Sequence, residues 1–350
     1  MKRKIKILVS LLFLMVYGRS TILAEEIDVK QIVFSHLRDS YGWHIATWGD
    51  THVTVPLPVI VFSKTTGLNI FLSSELENGK TYKYFRISRE ERHLDKVVEI
   101  NSAGNEVRPI DLSLTKNALA LLLNSIILIL IILHVAKWYK KKPVDAPRGF
   151  TGAMEIFIMD INDNIIKSCI GKDYLKYSPY LLTAFFFIFT NNIMGIIPLF
   201  PGGANTTGNI AVTMGLALCT FLAVNIFGTK EYWKEILWPD VPLWMKVPLP
   251  LLPVIEIFAL FTKPFALMIR LFANIMAGHA IILGLTSLIF VTVAMGPAVN
   301  SGMTLLSVIL SVFMIFVEIL VAYIQAYVFT MLSAVFIGLS RVEKHKQEVY

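Results

Sequence analysis

The chain has 350 residues, is 55% hydrophobic, carries only 16% charged residues and has a mean hydropathy of +0.64. That charge fraction lies well below the roughly 25% usual in soluble domains, and several apolar runs reach the ~20 residues that cross a bilayer, which excludes a soluble globular protein. The net charge of +7 gathers beside the apolar segments, so it does not point to nucleic acid, and the two cysteines, Cys169 and Cys219, support neither a disulfide framework nor a thiolate metal site.

The first residues, MKRKIKILVSLLFLMVYGRSTILAEE, join a basic start to an apolar run and small residues near Ala24. This predicts a secretory signal over 1–24, although Ile22 occupies a position where a small residue is preferred. Residues 25–115 are polar and charged, and form a predicted extracytoplasmic domain. Within them HVTVPLPVIVF and KTYKYFRIS read as strands around turns at Asn78-Gly79 and Ala103-Gly104, so the domain is expected to be β-rich. His36, His44 and His52 recur at eight residues, a spacing that fits no usual ligand pattern and reads as surface histidines rather than a metal centre.

Asn117 to Trp138 is the clearest spanning helix, followed at once by Lys140, Lys141, Lys142 and Arg148. The positive-inside rule makes this flank cytoplasmic and the N-terminal domain external. In 147–172, Met154, Phe157, Ile158, Ile161, Ile165 and Ile166 recur near helical spacing while Glu155, Asp160, Asp163 and Asn164 fall mostly elsewhere. This is an amphipathic helix expected on the cytoplasmic surface. Spans follow from Tyr177 to Pro198 and from Asn209 to Gly228, joined by an uncharged connection. Val247 to Val291 and Met303 to Leu339 are long apolar runs with a weak break at GPAVNSG. Counting one crossing each gives five membrane helices over 116–340 and a cytoplasmic tail at 341–350. A helix of ~45 residues is roughly 65 Å long against a ~30 Å hydrocarbon core, so the last two must tilt steeply or run partly along an interface.

The long runs carry polar groups that are costly in hydrocarbon. Glu256, Lys263 and Arg270 are spaced by seven, within about 20° of two helical turns, and Asn274 lies about 40° from Arg270. His279 falls on the opposite side. The last run contributes Glu318, Tyr323, Gln325 and Tyr327, with Glu318 and Gln325 on one face. An antiparallel packing with Arg270 level with Gln325 brings His279 level with Glu318. Such a pair can take up and release protons, because imidazole titrates near neutrality and burial raises a carboxyl toward it. Arg270 keeps its proton and acts electrostatically. Asn191, Asn192 and Asn225 read as hydrogen-bonding groups that join helices.

IRLFANIMAGH followed by EILVAYIQAYVFTMLSAVF resembles the two signature helices of the a subunits of F-type ATP synthases, in a bacterial form with an extended N-terminal domain. The resemblance runs from about Asn117 to Leu339 and includes TNNIMGIIP and the Asn209 helix. It implies two long tilted helices against a rotor ring, and a proton-translocating stator subunit with two offset half-channels. Arg270 matches the stator arginine that faces the rotor carboxylate, Asn274 and Gln325 its polar neighbours, and Glu256 a carboxylate of the cytoplasmic half-channel. His279 and Glu318 stand where many relatives carry Glu and His, an exchange that keeps one acid and one imidazole in the outer half-channel. Lys263, Asn209 and Tyr323 are further candidate positions. The implied partners are a ring of small hairpin c subunits, a peripheral-stalk b subunit, the F1 catalytic sector and membrane lipid, with no cofactor or metal. The implied place is the bacterial cytoplasmic (inner) membrane. No GxxxxGK[ST] loop occurs, so no catalytic site is expected in this chain. The alternative, an ion-coupled secondary transporter, predicts internal repeats, and the two halves show none.

Overall fold

A computed structural model of the chain describes residues 38–48, 51–101, 104–197, 200–237 and 251–341. The expected signal over 1–24, His36 and the tail beyond Arg341 lie outside these residues. The first part is a small β region. Strands β1 (Gly42–Trp48) and β2 (Thr51–Pro56) form an antiparallel hairpin. β3 (Pro58–Ser63) pairs with β4 (Gly67–Leu72) across a short turn. β5 (Phe85–Ile87), β6 (Val97–Ile100) and β7 (Glu106–Val107) make a second antiparallel sheet, and β8 (Ile110–Asp111) adds to the free edge of β3. The turn expected at Asn78-Gly79 closes a 3-10 helix at Ser73–Gly79, and Gly104 stands between β6 and β7. Alternation along β3 decides the core: Val59 and Val61 turn inward onto Tyr41, Phe71, Leu76, Phe85 and Val97, while Ile60 and Phe62 turn out.

The rest is helical: α1 (Lys116–Lys141), α2 (Phe150–Met159), α3 (Tyr174–Ile196), α4 (Ile210–Ile226), α5 (Lys230–Leu237), α6 (Leu251–Val291) and α7 (Pro297–Ser340). Among the described residues four stretches are long and apolar enough to cross a membrane: Lys116–Lys141, Phe150–Ile196, Val254–Met295 and Pro297–Ser340. A fifth arises if α4 and α5, bent by 100°, make one span. The molecule is therefore a polytopic membrane protein of four to five apolar helices with a small β-containing N-terminal region.

Local chemistry sets the helix ends. The Thr115 side chain accepts from Ala118 N at the start of α1, and Lys140 and Lys141 complement the helix dipole at its end. The α6–α7 turn lies earlier than the GPAVNSG break suggests. A 3-10 turn at Thr292–Met295 leads to Gly296 at φ 102, a conformation open to glycine, and α7 starts at once on Pro297. α2 passes into a π-helical stretch at Asp160–Lys167, where Ile161, Ile165 and Ile166 are buried and Asp163 and Asn164 face out. The amphipathic pattern thus holds, and its apolar side is built into the main core beside Leu181, Phe185, Phe329 and Ile337.

Candidate functional site

α6 and α7 pack antiparallel, and the polar residues mark their register. Lys263 Nζ sits over the Phe336 ring at 5.7 Å. Asn274 Nδ2 donates to Gln325 Oε1 at 2.9 Å, and His279 Nδ1 lies against Glu318 Oε1. Near the turn Ser307 Oγ donates to Leu285 O. α7 turns Glu318, Ala322, Gln325, Ala326 and Phe329 inward, and the alanines let the helices approach closely.

Arg270 is placed differently from its expected layer with Gln325. α6 seats Leu267, Met268, Leu271 and Ile275 in the core, which leaves Arg270 and Asn274 on its flank. The short Asn274 amide leans across the seam and takes the Gln325 oxygen. Arg270, one turn away, is exposed and makes no hydrogen bond or ion pair among the described residues.

The His279–Glu318 pair is enclosed: the side chains are 15% and 4% exposed. Glycines make room for it on two sides. A Cβ on Gly278 would stand 3.1 Å from Glu318 Oε1, and one on Gly195 would stand 3.5 Å from His279 Nε2. Gly195 belongs to the last turn of α3, so three helices converge on the pair. Beside it runs an amide–hydroxyl network. Asn124 Nδ2 and Thr206 Oγ1 both donate to Asn191 Oδ1 at 3.0 Å. Thr207 Oγ1 donates to Asn192 Oδ1 at 2.6 Å, and Asn192 Nδ2 reaches Ala322 O on α7 at 3.5 Å. Sequence reasoning gave Asn191 and Asn192 no more than a helix-joining role. The available signal was two adjacent amides in an oily run followed, after a glycine-rich turn, by Asn205, Thr206 and Thr207.

Toward the other end of α6, Thr220, Asn225, Tyr232 and Lys263 line a small recess with Phe221, Leu260 and Phe336. Asn225 Oδ1 is buried there without a hydrogen-bond partner among the described residues. Tyr232 is within electrostatic reach of Glu256. The remaining candidates have structural neighbours. Asn209 caps α4, its side chain accepting from Ala211 N at 3.0 Å. Tyr323 stands among Phe157, Phe185, Phe189 and Tyr327, with Asp160 facing its hydroxyl. Among the described residues no three His, Cys, Asp or Glu side chains converge as metal ligands.

The apolar helices thus bury an imidazole–carboxylate pair and leave an arginine on an open flank, the arrangement of a polytopic membrane protein with polar groups held between its helices. The family model for the ATP synthase A chain matches residues 119–338, and the chain belongs to that family. It is 41% identical over 242 residues to ATP synthase subunit a of Chlorobium phaeobacteroides strain DSM 266, covering 67% of each chain. It is 39% identical over 254 residues to ATP synthase subunit a of Chloroherpeton thalassium, covering 70% of this chain and 72% of that one. The subunit of Myxococcus xanthus is 39% identical over 249 residues, covering 68% and 76%. A second model, described as a domain of unknown function, matches residues 32–115. The secondary-transporter reading is thereby set aside.

Proposed function

We propose that this chain is the stator subunit through which protons reach and leave a rotor ring of c subunits, by two half-channels offset across the membrane. The observation that carries this reading is the enclosed His279–Glu318 pair beside the Asn274–Gln325 bond, with Arg270 on the open flank of the same helix. In this reading the β domain faces the outside and the tail the cytoplasm, in accord with the basic residues that follow α1. Residues 1–24 direct export, 25–115 form the external domain and 116–340 carry the ion route.

Protons enter from the outer face past the Asn191–Asn192 network and pass between His279 and Glu318 to a rotor carboxylate. Arg270 stays charged, holds the passing carboxylate ionised and separates the two routes. Release follows the recess at Lys263 and Tyr232, with Glu256 beside it. The chain itself has no hydrolytic chemistry; the b subunit holds it against rotation, and the F1 sector makes or splits ATP.

The test is Arg270→Ala in the assembled complex. ATP-driven proton pumping into inverted vesicles should vanish while the subunits still copurify with the ring. Pumping at the parental rate would refute the assignment.

A further inference from the structure

The β domain touches the membrane bundle at one buried cluster that no assigned role uses. Trp43 on β1 is 3% exposed and meets the Phe200 ring edge-on, with centroids 5.0 Å apart at 68°. Ala120 of α1 and Ala204 of the α3–α4 connection are buried with it, and Val55, Leu119 and Leu123 close the rim. The domain is also tied to the first turn of α1: Lys116 N donates to Ser40 O at 2.8 Å and Asn117 N to Asp39 Oδ1 at 3.0 Å. Its first hairpin is therefore fixed against both α1 and the α3–α4 connection.

That connection leads directly to the pair. Gly203 N donates to Met194 O at 3.0 Å, which folds the connection back over the end of α3. Ala204 O lies 3.4 Å from the Cβ position of Gly195, and the same position is 3.5 Å from His279 Nε2. Two residues on, Thr206 and Thr207 hold Asn191 and Asn192. Residues 204 to 208 are buried although they form no regular element. Irregular backbone at this depth persists only where protein covers it and its polar groups are satisfied. From Trp43 to His279 the path runs through Ala204, buried in the same cluster, and across the space that Gly195 leaves by lacking a Cβ.

We propose that the β domain is a fixed roof on the outer mouth of the ion route. Trp43 is a positioning residue that presses the α3–α4 connection against His279 and sets the aperture through which water and protons reach the His279–Glu318 pair. This rests on the half-channel reading, but it adds what the external domain is for. An external module without such a role would need only the tether to α1. It would not need an aromatic anchor in a connection that lies beside the pair.

The experiment uses the assembled complex with Cys169→Ser and Cys219→Ser; labelling by an outside thiol reagent is read with Thr207→Cys added as a reporter, and pumping is read without it. Trp43→Ala should raise the labelling rate by about tenfold, the factor given by about 1.4 kcal/mol of lost packing, and should slow pumping. Phe200→Ala removes the same contact from the connection without touching the β core, so it covers the case in which Trp43→Ala unfolds the domain. Trp43→Phe keeps a ring and should restore both readouts, a rescue that general instability would not give. Parental labelling and pumping in Trp43→Ala and Phe200→Ala, with the complex assembled, would overturn the roof. Labelling reports on the roof even if Arg270→Ala leaves pumping intact, so failure of the roof and failure of the half-channel reading are separable.

Discussion

The β domain and the helical bundle each bury a charged or titratable pair, but they bury it differently. In the β domain Glu106 is enclosed and accepts from Arg86 Nε at 3.0 Å and Nη2 at 2.7 Å, with Ser88 Oγ on its other oxygen. Both oxygens are engaged, and Arg86 reaches solvent, so the charge is fixed. In the bundle, among the described residues, Glu318 Oε1 lies against His279, with the neutral Asn274–Gln325 amide pair further along the same two helices. A carboxylate locked by guanidinium and hydroxyl stabilises a fold. A carboxylate set against an imidazole between glycines has no such fixed counter-charge, and in the proposed half-channel reading it is the group that exchanges a proton.

The sharpest way to break this contrast is to delete one member of each pair. His279→Ala or Glu318→Ala should cut ATP-driven pumping by about a hundredfold, the scale of one positioned proton-transfer group, while the complex still assembles. The exchange His279→Glu with Glu318→His should pump faster than either single replacement, and equal or slower pumping would remove the coupling. Glu106→Gln should instead lower the unfolding temperature of the β domain by several degrees, followed by calorimetry of the complex, because Arg86 loses its charged acceptor.

A smaller effect tests the room left around the bundle pair. Gly278→Ala adds a methyl 3.1 Å from Glu318 Oε1. Alanine is the better helix former by about 1 kcal/mol, so stability should hold or rise. The carboxylate must nevertheless shift by a few tenths of an ångström, and pumping should fall several-fold. Unchanged pumping would mean that the position of Glu318 is not critical.

Much of the architecture was legible because bilayer length and strand period are strong signals. The spans at Asn117 and Tyr177 and the two long runs follow from apolar run length, and the inward Val59 and Val61 follow from alternation. The layer expected for Arg270 and Gln325 was off by one turn, whereas the His279–Glu318 layer of the last two helices was readable from an antiparallel packing. Side-chain reach was not. Arg270 and Asn274 lie only about 40° apart on the helix, and which of them meets Gln325 depends on how α6 seats Leu267 and Leu271. The π-helical turn of α2 and the start of α7 at Pro297 are local backbone choices that hydrophobic pattern does not encode. Contacts across long separations were invisible for a plainer reason. Trp43 and Phe200 belong to different periodic segments, and no spacing rule links them.

The gentlest probe of the comparison is the pH dependence of the β domain alone. Ser88, and after it Arg86, hold the Glu106 carboxyl below its ordinary 4.5 against the opposing effect of burial. The ionised form is favoured in the fold, so this stabilisation is complete above the unfolded value and is lost as pH falls through the folded one. Tyr41 has the opposite sign. Burial first, and its hydrogen bond to Asp111 next, raise its hydroxyl above the ordinary 10.0. Its contribution is complete below that value and fades as pH rises beyond it. The domain should therefore lose stability at both limbs, with Glu106→Gln flattening the acid one and Tyr41→Phe the alkaline one. Unfolding midpoints measured across pH check both limbs. An acid limb that is just as steep in Glu106→Gln would mean that another carboxylate carries it, and that the locked charge at Glu106 is not what distinguishes this core from the bundle.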